Sequence, residues 1–245
     1  VTQLIDTYGE PSPALLSHYA GAMRYVSHQA GKSIDRGQVE RIHAQGKNIV
    51  LNFEDSQSNP KGGYDQGRTD AEFCVGVAHQ IGAPAGIAIY YSVDFEVHGG
   101  PLLATVEAYF RGVASIMRPA GYLIGAYGDK DLLTALLDHK LIDFAWLTTA
   151  WSYGAKDARA VLYQDQFHSG FDVDEVEHPY YGAWTPTGPQ EEYVPLTDAD
   201  VVKIWTHDLA NGAPVAEAYA VIVNIQKALA EVLAEVAAIK SKVGA

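Results

Sequence analysis

Short apolar, β-branched and aromatic runs recur along the chain and alternate with stretches of helical period. Runs at residues 1–6, 23–27, 47–53, 86–93, 122–127, 143–150, 160–163 and 171–176 have the length and composition of strands. Helices are predicted between them at 13–22, 35–45, 64–81, 101–117 and 131–141. Ser33 or Asp35 can cap the second, and Gly82 stops the third. Alternation of this kind predicts a parallel α/β sheet or barrel. The crossovers then shrink: about ten residues follow Trp151 before the seventh strand, and about six before the eighth, too few for full helices. The expected fold is α/β, a TIM-like (β/α)8 barrel over residues 1–184 with its last helices reduced. An open doubly wound sheet is the alternative, but eight successive strand signals favour closure.

The pattern changes after residue 184. Residues 185–195 carry Pro, Gly and no period, and read as a linker. Residues 196–245 read as a helical tail. Within it Ile222, Ile225, Leu229, Val232, Val236, Ile239 and Val243 alternate at +3 and +4, the seam of a coiled coil over 215–243. Ile and Val at both seam positions favour a homotrimer over a dimer. The other use of the stripe is to pack on the barrel of its own chain.

Composition narrows the function. The 245 residues are 48% hydrophobic, enough for one sizeable core, and carry 15 Tyr and 23 Gly. A net charge of −13 argues against nucleic acid or an anionic membrane as partner. No apolar run reaches membrane-spanning length, and no basic stretch followed by an apolar one opens the chain, so no Sec-type signal peptide is expected. The lone Cys74 lies on a predicted helix face and reads as a buried thiol. The nine His are scattered, with no metal-binding spacing and no glycine-rich phosphate loop. Neither metal nor cofactor is expected.

The strand ends carry the candidate chemistry. The run 86–93 leads into Asp94-Phe95-Glu96, two acids at i, i+2 that a continuing strand would point to one side. Unpaired acids cannot face a core, because desolvation costs several kcal/mol each. At the C-terminal end of a barrel strand they would stand on the catalytic rim; otherwise they belong to a solvated turn. Asp6, Glu54-Asp55, Tyr127, Trp151, Gln164 and the pair Asp172 and Asp174 end or flank other predicted strands. A ring of acids and aromatics at one end of a barrel reads as a site.

The pieces Ile5-Asp6-Thr7-Tyr8, Arg24-Tyr25-Val26 with Lys32-Ser33, Glu54, and Gly67-Arg68-Thr69-Asp70-Ala71 occur in that order. They are followed by Ile89-Tyr90-Tyr91-Ser92-Val93-Asp94, Tyr109, Gly125-Ala126-Tyr127-Gly128, Trp151-Ser152, Gln164 and Asp172-Val173-Asp174. With these, residues 1–184 resemble a glycoside-hydrolase-like family of unknown function from actinobacterial secreted proteins and phage lysins, related to the family 25 lysozymes. Asp94-Phe95-Glu96 is similar to the Asp-x-Glu of those lysozymes. The resemblance implies a peptidoglycan-directed glycosidase, either a phage lysin or a tail-associated wall hydrolase. It implies Glu96 as general acid with Asp94 beside it, Asp6 and Asp172 or Asp174 across the groove, and Glu54 as competing acid. Tyr8, Tyr91, Tyr127 and Trp151 would stack on sugars, and Gln164 would hydrogen-bond them. The alternative is a virion or tail protein that binds bacterial cell-wall glycan without cutting it, on an oligomeric stalk. Each residue also has a structural use: Asp6 could cap a turn, Trp151 could fill the barrel top, and Gln164 could tie strands together.

Overall fold

A computed structural model describes residues 2–191. The predicted tail and its coiled coil, 196–245, lie outside the described residues.

Eight strands close into a barrel: β1 Gln3–Asp6, β2 Gly21–Val26, β3 Asn48–Phe53, β4 Ala88–Ser92, β5 Leu123–Gly128, β6 Phe144–Thr148, β7 Leu162–His168 and β8 Phe171–Val176. Pairing runs β3-β2-β1-β8-β7-β6-β5-β4, and β3–β4 pairing closes the ring. The helices are α1 Pro13–Leu16, α2 Arg36–Ala44, α3 Gly63–Ile81, α4 Gly100–Met117 and α5 Lys130–Asp138. After β6 there is no further helix among the described residues, so the reduction of the last crossovers is as expected.

Three expectations need correction. The barrel is not all parallel: β8 runs antiparallel to both β7 and β1. Only Ser169 and Gly170 separate β7 from β8, and a two-residue connection can make a hairpin but not a crossover. The first helix stops at Leu16 instead of continuing to residue 22, because residues 21–26 pair as β2. Part of the stretch read as a linker is structured. Here β9 Trp184–Thr185 pairs with β10 Gly188–Pro189, and Trp184 also pairs with Ile49 of β3. The Gln190 side chain accepts from the Tyr181 and Ala183 amides, folding this segment under the barrel.

Alternation along the strands divides two apolar layers. Ile5, Ala22, Ile49, Leu51, Ile89, Tyr91, Ile124 and Leu147 point outward and pack with the helices. Leu4, Met23, Val50, Tyr90, Phe144, Trp146 and Leu162 point inward, with Tyr181 and Ala183 closing the N-terminal end of the barrel. There the Tyr90 hydroxyl donates to the Tyr181 carbonyl at 2.8 Å. A filled floor of this kind leaves only the opposite, C-terminal end open for chemistry.

Candidate active site

On six strands the inward position one step beyond the apolar layer is polar. Leu4 is followed by Asp6, Met23 by Tyr25, Val50 by Asn52, Tyr90 by Ser92, Trp146 by Thr148 and Leu162 by Gln164. The strands thus carry a dry lower layer and a polar upper one, which their period of two projects into the barrel mouth. The antiparallel β8 joins this layer from the other direction. Asp172, at its start, lies opposite Asp6, and Asp174 lies opposite Leu4, one layer down.

Asp6, Tyr8, Tyr25, Lys32, Glu54, His168, Gly170, Phe171 and Asp172 line one cleft of about 320 Å³. Asp6 is almost fully buried, and the Tyr25 hydroxyl donates to its Oδ2 at 2.9 Å. Burial raises the Asp6 carboxyl to about 7; the Tyr25 bond lowers it in part, and the charges of Glu54 and Asp172 add to the rise. Burial likewise keeps the Tyr25 phenol protonated, so it stays a donor. Glu54 stands in a different environment: Lys32 Nζ donates to its Oε1 at 2.6 Å. The same ammonium lies 4.3 Å from the Tyr25 ring centroid and 5.8 Å from that of Tyr8. Arg24, fully buried on the outward face of β2, donates to the carbonyls of Thr7, Tyr8 and Lys32 and fixes the loops that carry the cleft. Burial also raises Asp172, and neighbouring His168 offsets part of that.

Beneath the cleft Asp174 has no exposure at all. Trp146 Nε1 donates to its Oδ1 at 2.9 Å, and its Oδ2 has no hydrogen-bond partner. Burial, then the charge of Asp6, raises Asp174 well above the ordinary carboxylate range. The Tyr127 hydroxyl donates to Gln164 Oε1 at 2.8 Å, and its ring packs edge-on against Trp146. Tyr127 and Gln164 are both buried, so they shape the barrel mouth rather than offering an open stacking face.

Asp94 and Glu96 follow the C-terminal end of β4, at the same end of the barrel as Asp6, but neither lines the Asp6 cleft. The strand ends at Ser92, so its alternation no longer aligns them. Gln57 Nε2 donates to Asp94 Oδ2 at 2.7 Å, and Glu96 Oε2 pairs with His98 at 2.9 Å. Glu96 instead lines a second cleft, of about 330 Å³, with Asp129, Trp151, Ser152 and Tyr153. Trp151 is half-buried there, its ring 6.4 Å from Tyr127.

Tyr91 is displaced furthest from its expected role. It is wholly buried on the outside of the sheet, against Phe53, Tyr109 and Phe110, where no sugar can reach it. Tyr90 and Tyr91 are adjacent on one strand, and the period of two sends the second to the helix layer. Tyr8, by contrast, is more than half exposed at the edge of the cleft.

Sequence reasoning gave no site role to Tyr25, Lys32, His168 or Phe171. Tyr25 carried a usable signal, being in phase with inward Met23. Lys32 lies in a loop, where no periodicity applies. His168 and Phe171, stacked at 4.8 Å, depend on a hairpin that the sequence does not announce, because β7 is expected to end at residue 163 and β8 to run parallel. Among the described residues no group of three or more His, Cys, Asp or Glu is placed to hold a metal ion.

A family model described as Rv2525c-like, glycoside hydrolase-like domain matches residues 15–191. The Mycobacterium tuberculosis Tat-secreted protein Rv2525c, solved with L-tartrate, superposes with a TM-score of 0.70 at 21% identity, covering 75% of this chain and 99% of that one. The modular autolysin LytC of Streptococcus pneumoniae, solved with a synthetic peptidoglycan ligand, superposes at 0.52 with 14% identity, covering 71% and 46%. The uncharacterized protein FadG of Bacillus subtilis is 26% identical over 139 residues, 54% of this chain. The match spans about a quarter (24%) of FadG's own length.

Proposed function

We propose, from the premise that this chain belongs to the Rv2525c-like, glycoside hydrolase-like domain family, that it cleaves glycosidic bonds of a bacterial cell-wall glycan at the C-terminal end of its barrel. The observation that carries the reading is the unequal setting of two carboxyl groups over one cleft. Glycosidic cleavage needs one carboxyl group that still holds a proton near neutrality and a second that carries negative charge. Asp6, raised to about 7, meets the first requirement, and Glu54, ion-paired with Lys32, meets the second. Asp6 is then the proton donor to the leaving oxygen. Glu54, with Asp172 across the cleft, stabilises the positive charge that develops at the sugar ring. Tyr8 and Phe171 supply apolar faces at the rim. Glu96 lines the second cleft at this end of the barrel, with Trp151 and Tyr153. Peptidoglycan is the substrate class we favour, because the barrel is shared with an autolysin that was solved with such a ligand.

The test is incubation of the pure chain with actinobacterial peptidoglycan and mass-spectrometric detection of new reducing ends. Asp6→Asn and Glu54→Gln should each lower their formation by on the order of a hundredfold or more. Glu96→Gln decides between acids: a change of only a few-fold leaves the role with Asp6, and a hundredfold loss moves it to Glu96. Absence of reducing ends with every variant and with the parent chain would end the hydrolase reading.

The heptad seam in the tail sequence supports a second reading, a phage virion or tail protein that binds wall glycan without turnover on an oligomeric stalk. On that reading the chain sediments with peptidoglycan and releases nothing.

A further inference from the structure

Five buried side-chain atoms among the described residues lack a hydrogen-bond partner: Asp6 Oδ1, Arg24 Nε, Tyr91 Oη, Glu96 Oε1 and Asp174 Oδ2. Two of these are carboxyl oxygens on neighbouring strands of the barrel interior. In the β1–β8 ladder Leu4 lies opposite Asp174 and Asp6 opposite Asp172, so Asp174 is the diagonal neighbour of Asp6 on the same inner face.

Among the described residues no cation pairs with either acid, although the charge of Arg24 reaches Asp6. The Arg24 guanidinium is engaged with carbonyls and Gln38 on the other face of β2, and Lys32 is paired with Glu54. The other groups around the two acids are Asp172 on β8, Tyr25 on β2, Trp146 on β6, Gln164 on β7, and Tyr127 on β5, which also senses Asp94. An ionised Asp174 among Leu4, Trp146 and Leu162 would be strongly disfavoured by the loss of its hydration. Gln164, opposite Asp174 on β7, also acts on the carboxyl, yet no donor bonds Oδ2, and protonation turns that oxygen from an acceptor with nothing to accept into a donor. The neighbouring acceptor without a donor is Asp6 Oδ1.

We propose that Asp174 is a neutral carboxylic acid whose Oδ2–H is given to Asp6 Oδ1, making it the positioning residue for the reacting carboxyl group. Asp174 touches no substrate. It holds the Asp6 carboxyl in register and supports the Asp6 carboxylate once the proton has passed to the glycosidic oxygen. The raised values of both groups agree with this arrangement. Two acids linked in this way titrate as a pair, so each must feel the loss of its bond to the other.

The inference rests on the reading of Asp6 as proton donor, and its test needs no turnover. Aspartate carboxyl carbons and the Trp146 indole N–H are followed by NMR on the full chain from pH 4 to 9. Trp146 donates to Asp174, so its resonance reports that carboxyl. In the parent chain the Trp146 resonance should move in step with the Asp6 titration. In Asp6→Asn it should be flat, with Asp174 protonated throughout. Asp174→Asn retains an acceptor for Trp146 and, in its amide N–H, a donor for Asp6, so the Asp6 midpoint should hold, whereas Asp174→Leu, with no donor, should raise it by about one pH unit or more. An Asp6 midpoint unchanged in Asp174→Leu, or an Asp174 carboxyl that titrates in the ordinary carboxylate range, overturns the proposal. Coupled titrations without any release of reducing ends would retain the pair and sink the hydrolase reading. Turnover with independent titrations would do the reverse.

Discussion

Asp6 is a destabilising residue in its own barrel. Its folded value of about 7 lies above the ordinary 3.8, so between about pH 4 and 7 the folded chain keeps a proton that the unfolded chain has lost. The stability it confers is therefore full at the acid end and is lost as pH rises through about 7. Asp6→Asn is expected to unfold at higher denaturant than the parent at pH 8, by about 2–4 kcal/mol, with the gap closing toward pH 4. A pH-independent gap in urea melts would contradict it. Lys32 makes the opposite case. It is buried, and Lys32→Met would strand Glu54 beside Asp6 without its partner. A loss of about 1–3 kcal/mol by chemical denaturation, and weaker glycan turnover, are expected. The acids at the strand ends were legible in the sequence because a carboxylate after an apolar run demands an explanation. Lys32 was not, since it lies in a loop and its partner is 22 residues away, just past the end of β3.

At the scale of elements, the tightest constraint is the crossing of α3 and α4. A methyl group on Gly67 would lie 2.0 Å from the Tyr109 carbonyl oxygen, and one on Gly112 would lie 2.1 Å from that of Tyr64. The two backbones touch, and the buried Asp70, which accepts from Tyr109, Asn59 and Gln66, ties the helices together beside that contact. Gly67→Ala must therefore separate the helices. A destabilisation of about 3 kcal/mol or more is expected in equilibrium unfolding. An exposed control, Gly76→Ala, meets nothing within 4 Å and should be neutral or slightly stabilising through helix propensity. The helices themselves were readable from period and caps: Asp35 accepts from the Gln38 amide at the start of α2 as its position implied. The direction of β8 was not, although the short gap before it already excluded a helical crossover. The decisive feature is the Ser169-Gly170 turn, which became recognisable only when β7 extended to His168.

For the whole molecule, the ring of strands and both apolar layers close within residues 2–191, so a chain ending at residue 192 is expected to unfold in one cooperative transition. The seam from Ile222 to Val243 predicts that the full chain sediments as an oligomer and the shortened one as a monomer; equal masses at micromolar concentration would exclude a stalk. The sequence by itself determined the alternation of strands and helices, the eight-strand count and the presence of acids at strand ends. Periodicity and turn residues are local properties, and they survive without knowledge of neighbours. Only the tertiary structure decided which acids meet. Asp6, Glu54 and Asp172 come together because β1 is flanked by β2 and an inverted β8, while Asp94 and Glu96 leave the strand and take other partners. It also decided that Tyr91 faces the helices and that Asp174 lies beneath Asp6. Those assignments depend on strand register, which a change of one residue inverts and which is set by pairing between segments far apart in the chain.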